Sequence, residues 1–178
     1  MAGSEPMLIE RLSPSHASVY RALMLEAYAV HPDAFTSSVA EREKLPLSWW
    51  EARLSTDPAA HELVLGAFEG SELIGVVGLS FEQREKIRHK AKLFGMYVRP
   101  SWRRRGLGRQ LVESALTHAR QRPGIKLVQL TVTETNAPAV ALYESCGFLR
   151  FGVEPLAVAV GSQYVTKLHL WRRLDPDE

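Results

Sequence analysis

The sequence predicts a single α/β domain built on a mixed, mostly antiparallel sheet. Its length of 178 residues suits one domain. Three β-branched runs punctuated by glycine lie within residues 62–98, and a strand, loop, helix, strand, helix order follows Val98, which is typical of a parallel crossover. With 46% hydrophobic and 24% charged residues, the composition excludes collagen-like and disordered classes. We therefore expect one domain over residues 1–178, with its core at about 7–173.

The first third of the chain predicts a strand followed by two helices. A short apolar run over residues 8–12 stops at Ser13-Pro14, where Ser13 is a suitable N-cap and proline suits the first helical position. Apolar residues then recur at helical spacing until His31-Pro32 breaks the pattern. A second helix is predicted to start near Pro46.

The middle of the chain predicts three antiparallel strands, over residues 63–68, 73–81 and 91–98. Glycine in the Glu69-Gly70-Ser71 segment suits the turn between the first two. Gly75, Gly78 and Gly95 fall inside strand patterns, which indicates bulges or the close approach of another backbone.

The last part of the chain predicts two helices, a strand between them and a closing hairpin. The first helix has one apolar face over residues 107–119 and ends before Pro123. The strand spans 127–133, and the second helix runs from Asn136 as N-cap to Gly147 at the C′ position. Strands at 148–160 and 163–172 flank Gly161-Ser162, a two-residue connection that favours a hairpin.

Positive charge is concentrated in one part of the sequence. Residues 83–126 hold 13 Lys and Arg against Glu85 and Glu113, a local balance of +11, so the formal net charge of +2 leaves −9 for the rest. Clustered cations attract phosphates or nucleic acid. The acidic remainder would tolerate a cationic substrate.

The segment from Met96 to Arg109 joins a strand to a helix and predicts an anion site. Gly106 and Gly108 allow a ligand close to the helix entrance, where unpaired amides carry partial positive charge. Guanidinium groups that can grip phosphate surround these amides at Arg103, Arg104, Arg105 and Arg109. Leu111 stands where a dinucleotide loop needs its third small residue, and a Walker loop is absent.

Two motifs of this region resemble the GNAT superfamily of N-acetyltransferases. Arg103-x-x-Gly106-x-Gly108, after a strand that ends at Val98, is similar to that superfamily's acyl-coenzyme A pyrophosphate loop. Asn136-x-x-Ala139-x-x-Leu142-Tyr143-x-x-x-Gly147-Phe148 is similar to its next helix. The resemblance implies the acyl-CoA N-acyltransferase fold, in which strands 4 and 5 are parallel, splay apart and are flanked by helices.

The resemblance also implies acetyl-CoA as co-substrate and direct acetyl transfer to a primary amine of a small molecule or protein. The pantetheine arm would lie in the gap between the splayed strands, and Tyr143 would stand near the thioester sulfur. The implied cofactor-binding residues are Met96, Tyr97 and Val98 at the acetyl group; Arg103, Arg104, Arg105, Gly106, Leu107, Gly108 and Arg109 at the pyrophosphate; and Asn136, Ala139 and Tyr143 along the arm.

The chemistry of this transfer needs a neutral amine, a stabilised oxyanion and a protonated leaving thiolate. A lysine-like amine of pKa ~10.4 costs about 4.6 kcal/mol to deprotonate at pH 7, so a base or a water chain is useful. Glu82 is the predicted base, with Glu134 and His89 as alternatives. Tyr143 is the predicted acid, because a phenol of pKa ~10 protonates a thiolate of pKa ~8.5 only modestly uphill. The alternative for Tyr143 is a purely structural aromatic on a buried helix face.

Other features of the sequence limit the partners. The six histidines show no metal spacing and Cys146 is the one cysteine, so we expect no metal, no intrachain disulfide and a reducing compartment. Without a signal peptide or a long apolar segment, a cytoplasmic protein without membrane partners is expected. We also expect no nucleic-acid partner. Exposed sheet edges make a homodimer a reasonable expectation. Two alternatives keep other functions open: a CoA sensor without turnover, and a nucleic-acid-binding protein that uses the +11 region.

Overall fold

The computed structural model describes residues 7–174, which form one seven-stranded sheet with helices on both faces. The strands are β1 (Leu8–Arg11), β2 (Glu62–Glu69), β3 (Glu72–Phe81), β4 (Lys90–Val98), β5 (Leu127–Thr133), β6 (Leu149–Val160) and β7 (Gln163–Arg173). The helices are α1 (Ala17–Val30), α2 (Val39–Glu43), α3 (Leu47–Arg53), α4 (Leu107–Gln121) and α5 (Ala137–Ser145). The strand order is β1-β2-β3-β4-β5-β7-β6, and β4–β5 is the parallel pair among antiparallel neighbours. The predicted mixed sheet is confirmed.

Two apolar cores sandwich the sheet. On one face α4 and α5 cover the sheet, and Leu111 and Val128 are fully buried between these helices and the sheet. On the other face α1 and α3 pack with Met24 and Trp50 against β2 and β3. Removing these side chains from water stabilises both layers against the sheet.

Strand β4 carries a bulge in its second half. The register against β3 shifts so that Gly95 and Met96 together lie opposite Val77 alone. Gly95 has φ +59°, a conformation that glycine adopts at little cost. Because the extra residue shifts the alternation of the strand, Phe94 contacts α3 and Tyr97 packs in the α1 core on the same side of the sheet.

Strands β4 and β5 separate soon after they meet. Their parallel pairing covers three positions, at Lys90↔Leu127, Ala91↔Val128 and Lys92↔Gln129. Beyond Gln129, β5 continues along β7 as far as Thr133↔Lys167. The predicted splay between the fourth and fifth strands is therefore present, and it opens towards the carboxyl ends of both strands.

Most predicted boundaries agree with the structure, with two differences near the N-terminus. Ser13-Pro14 opens a short 3-10 turn, Pro14–His16, that leads into α1, and α2 was not predicted. The latter helix spans five residues and buries none of them, so its sequence carries no apolar periodicity.

The surface bears on the predicted partners. Strand β6 lies at one edge of the sheet and exposes apolar side chains at Leu149, Phe151, Val153 and Leu156. Such an edge is compatible with self-association, and the homodimer stays a prediction. Over residues 7–174, no helix is long and apolar enough to cross a membrane.

Candidate active site

A cleft of about 910 Å³ occupies the gap between β4 and β5. It extends from the first turn of α4 on one face of the sheet to α1, α2 and α3 on the other. Twelve of the thirteen predicted cofactor-binding residues line it: Met96, Tyr97, Val98, Arg103, Arg104, Gly106, Leu107, Gly108, Arg109, Asn136, Ala139 and Tyr143. Arg105 is the exception, since its guanidinium lies 4.7 Å from the centre of the Trp102 ring.

The two glycines at the start of α4 have different structural roles. Gly106 is the N-cap with φ +76°, and a Cβ placed there would meet nothing within 4 Å, so its open side faces free space. A Cβ at Gly108 would lie 3.0 Å from the Leu142 side chain and 3.1 Å from the Met96 methyl group. Gly106 thus shapes the entrance to the helix, whereas Gly108 lets α4, α5 and β4 pack closely.

The entrance of α4 presents unpaired main-chain donors. The first intrahelical bond runs from the Gln110 N–H to the Gly106 carbonyl at 3.1 Å, so the amides of residues 107–109 lack helical acceptors. Together with the helix dipole, these donors make the entrance of α4 suited to an anionic ligand.

Among the arginines around this entrance, Arg103 is held by neutral groups, whereas Arg109 donates to the Ser145 carbonyl at 2.8 Å and lies 3.8 Å from Glu113. Arg103 donates from Nε to the Val98 carbonyl at 3.2 Å and from Nη2 to His31 Nε2 at 2.6 Å. Burial, and then the Arg103 charge, lower the pKa of His31, which favours the neutral imidazole that this hydrogen bond needs. Within the described chain, no carboxylate lies within 4 Å of Arg103 or Arg104. Their positive charge is thus available to a ligand.

The +11 region divides into two surfaces. Its first basic residues lie in the connection between β3 and β4, around the turn Glu85–Ile87, and the arginine loop follows the opposite end of β4. The nine residues of β4, at ~3.3 Å each, place about 30 Å between this connection and the arginine loop. The concentrated charge of the sequence therefore does not form a single basic face.

Asn136 caps α5 beside the gap. Its Oδ1 accepts a hydrogen bond from the Ala139 N–H at 3.4 Å, and its carbonyl accepts one from the Val140 N–H at 3.0 Å. Because capping uses only the side-chain oxygen, the amide NH2 can donate to a ligand in the cleft.

Tyr143 belongs to both the core and the cleft. Its side chain packs edge-on against Phe148, with ring centres 6.0 Å apart, and the residue is 8% exposed. Its hydroxyl donates to the Met96 sulfur at 3.5 Å, across the gap between α5 and β4. Burial, with a smaller contribution from Cys146, raises the pKa of Tyr143 well above 10, so the phenol stays protonated at neutral pH.

The predicted bases lie outside this cleft. Glu82 is exposed beyond the end of β3, and its N–H donates to the Lys90 carbonyl at 3.2 Å, where β4 and β5 are still paired. His89 lies in the same connection, and its carbonyl accepts from the Lys126 N–H at 2.8 Å. Glu134 lines a separate cavity of about 400 Å³ next to the β6–β7 hairpin. That one of these residues acts as the base stays a prediction, and their positions outside the cleft do not support it.

The other half of the cleft carries no motif that could be recognised from the sequence. This half, which we call the acceptor chamber, lies on the α1 side of the sheet and is lined by Tyr28, Asp33, Arg42, Arg53, Lys92, Phe94 and Lys167. These residues come from α1, α2, α3, β4, β7 and the connection after α1. Since no short motif links them, only the fold shows that they share a cavity.

An acyl-CoA fits the cofactor half of the cleft. Phosphates match the free amides and arginines at α4, and a chain with amide groups matches the separated edges of β4 and β5, whose main chain lacks ladder partners across the gap.

Comparison with known proteins agrees with this geometry. Residues 18–148 match the sequence model of the acetyltransferase (GNAT) family. A mycothiol acetyltransferase of Salinispora arenicola is 31% identical over 134 residues, which are 73% of this chain and 40% of that protein. A [ribosomal protein bS18]-alanine N-acetyltransferase of Salmonella typhimurium is 32% identical over 120 residues, 64% of this chain and 80% of that protein. The chain thus spans less than half the length of the mycothiol enzyme.

Solved structures show the same fold. A GNAT-family acetyltransferase of Streptococcus pneumoniae superposes with a TM-score of 0.85 at 23% identity, covering 95% of this chain and all of that one. YncA, a putative acetyltransferase from Salmonella typhimurium solved with acetyl-CoA, gives a TM-score of 0.77 at 20% identity and covers 96% of this chain and 95% of that one. On its family match over residues 18–148 and its sheet topology, the chain belongs to the acetyltransferase (GNAT) family.

Proposed function

We propose that this protein transfers the acetyl group of acetyl-CoA directly to a primary amine. One observation carries the proposal: the gap between β4 and β5 joins an anion site at the start of α4 to the acceptor chamber on the other face of the sheet. A donor and an acceptor that enter from opposite faces would meet in this gap without a covalent enzyme intermediate.

The residues of the cofactor half would hold the donor by its charge and its amides. The amides of residues 107–109 bind the pyrophosphate together with Arg103, Arg104 and Arg109, and Asn136 donates to the pantetheine arm. When bound, acetyl-CoA supplies the acetyl group as a thioester. A main-chain N–H group near Val98, after the β4 bulge, would donate to the carbonyl oxygen as it gains negative charge.

Tyr143 would supply a proton, or a strong hydrogen bond, to the leaving thiolate. At ordinary pKa values of ~10 and ~8.5, complete proton transfer is uphill by about 2 kcal/mol. Because burial raises the pKa of Tyr143 further, its phenol is best suited to donate a hydrogen bond that strengthens as the thiolate forms. The amine would lose its proton through water, and Asp33 is the one carboxylate among the described residues that line the cleft.

A pair of glycine variants tests the anion site. Gly106 and Gly124 both have positive φ and open space around the Cβ position, but only Gly106 lines the cleft. Valine at either position suffers the same kind of strain, of order 1–2 kcal/mol. Titration calorimetry with CoA should show binding lost in Gly106→Val and retained in Gly124→Val, with a similar loss of thermal stability in both. Equal affinity in the two variants would overturn the assignment of the loop.

An amine panel with acetyl-CoA tests the activity itself. Free thiol is measured, and the acetylated amine is identified by mass spectrometry. Thiol release that matches the acetylated product supports the transferase. CoA binding without thiol release from any amine would instead favour the CoA sensor.

A further inference from the structure

The charges of the acceptor chamber are almost all of one sign. Its described lining includes four cations, at Arg42, Arg53, Lys92 and Lys167, against the single carboxylate of Asp33. The sequence as a whole suggested the opposite, because its acidic surplus lies outside the +11 region. An amine that enters this half of the cleft therefore meets positive charge, which a second cationic group on the substrate would disfavour.

Lys167 is buried without an acidic partner. Its residue is 6% exposed, and Nζ donates to the Thr133 hydroxyl at 2.9 Å and to the Ala34 carbonyl at 3.2 Å. Glu154, its cross-strand neighbour, instead contacts His169 at 2.8 Å. In the described part of the chain no carboxylate lies within 4 Å of Nζ, and the ammonium has a third hydrogen to donate.

The burial of this ammonium is costly without a bound anion. Desolvation lowers the pKa of Lys167, although the charges of Asp33 and Glu154 oppose the shift. A side chain that faces a cleft and retains an uncompensated charge is suited to pair with a charge that the ligand brings.

Arg42 presents a second cation in the same chamber. Its Nη2 donates to the Ser37 hydroxyl at 2.8 Å, and its guanidinium lies 4.5 Å from the centre of the Trp49 ring. Arg53 lies 4.8 Å from the same ring centre, but its Nε is 3.3 Å from Glu62, which partly neutralises it. The Trp49 ring helps to hold the Arg42 guanidinium, and no described carboxylate pairs with its charge.

We infer that the acceptor is a small amine that also carries a carboxylate, as an amino acid does, and that Lys167 and Arg42 bind this carboxylate. The inference rests on the proposed acetyl transfer and specifies the substrate class of the same site. A guanidinium fork and an ammonium match the two oxygens of a carboxylate, while the amine of the same molecule would point towards the gap between β4 and β5.

Matched amines distinguish this inference from the proposed function. Alanine, leucine and phenylalanine are compared with ethylamine, isopentylamine and phenethylamine, which lack only the carboxylate. We expect kcat/KM to be at least tenfold higher for the amino acids, mainly through KM. If both sets are acetylated equally, or the plain amines are preferred, the inference fails while the transferase stands. If no amine of either set or of the wider panel is acetylated, the proposed function fails.

Substitution of the two cations locates the carboxylate. Lys167→Met and Arg42→Met should each lower kcat/KM for amino acids roughly ten- to hundredfold, the range for loss of a charged hydrogen bond. CoA affinity should stay within about twofold, and the preference for amino acids over the matched plain amines should be lost. Lys44→Met, which removes an exposed cation next to α2 outside the cleft, is the control for net charge. Equal losses for both sets of amines, or no loss in either variant, would overturn the assignment.

A binding experiment gives a readout that needs no turnover. In the presence of CoA, N-acetylalanine should shift the NMR signals of the wild-type protein, whereas its uncharged methylamide should bind at least tenfold more weakly. The preference for the acid over the methylamide should be lost in Lys167→Met. If that variant does not fold, Arg42→Met is measured in its place. Equal binding of acid and amide would contradict a carboxylate site.

Discussion

Replacing Tyr143 with phenylalanine separates the two roles that this side chain combines. The ring fills the core next to Phe148, and the hydroxyl reaches the Met96 sulfur at 3.5 Å. Phenylalanine retains the ring and removes one long hydrogen bond to a weak acceptor. We expect the free energy of unfolding to change by less than about 1 kcal/mol.

The expected kinetic effect is much larger than this structural one. General acid catalysis contributes roughly 10²- to 10⁴-fold, or about 2.7–5.4 kcal/mol of transition-state stabilisation. Because burial raises the pKa of Tyr143, full proton transfer is less favourable than for an ordinary phenol, and we expect the lower end of this range. Tyr143→Phe should therefore reduce kcat about hundredfold and leave CoA affinity nearly unchanged.

The assay combines steady-state thiol release, calorimetry with CoA and chemical denaturation. Tyr164→Phe, which removes an exposed hydroxyl from β7 outside the cleft, is the matched control and should behave as wild type. Unchanged kcat in Tyr143→Phe would refute the role of the phenol. A stability loss above about 2 kcal/mol together with weaker CoA binding would show that the hydroxyl acts on the fold instead.

Two further predictions concern the arginine loop and the response to alkaline pH. Arg104→Ala should weaken CoA binding about tenfold by calorimetry, because Arg104 lines the cleft, whereas Arg105→Ala should change it less than twofold; the reverse order would contradict the site. Burial raises the pKa of Tyr20 and Tyr97 to about 12, with a further contribution from the Glu26 hydrogen bond for Tyr97. Because the unfolded phenols ionise near 10, the free energy of unfolding should fall as the pH rises from 10 to 12, and less steeply in Tyr97→Phe. Equal slopes in denaturation series would contradict this assignment.

Much of the cofactor half of the cleft could be predicted from the sequence because its chemistry is local. Gly106, Gly108 and the arginines lie within seven residues, and a helix entrance is an anion site whatever surrounds it. Likewise Asn136 was recognisable as an N-cap and Gly147 as a helix-ending glycine, and both predictions are confirmed. Such features depend on main-chain conformation over a few residues.

The acceptor chamber could not be predicted in this way. Lys167 reaches it because β7 pairs with β5, and Arg42 reaches it from a short helix without apolar periodicity. Glu82 follows the end of β3 as predicted, but it lies beside the start of β4, where β4 and β5 are paired, and not beside the cleft. The sequence shows where a strand ends, whereas the pairing of the strands decides which residues and which cavity lie next to that end.

The sequence by itself determined the order of the seven strands and of every described α-helix except α2 along the chain, the loop of glycines and arginines before α4, and the family. The tertiary structure alone decided which residues share the cleft, how the positive charge is divided and which sign of charge an acceptor meets. The physical reason is the range of the interactions involved. Caps, turns and periodicity act between near neighbours in the chain, whereas the gap between β4 and β5 and the bulge at Gly95 depend on how strands far apart in sequence pair.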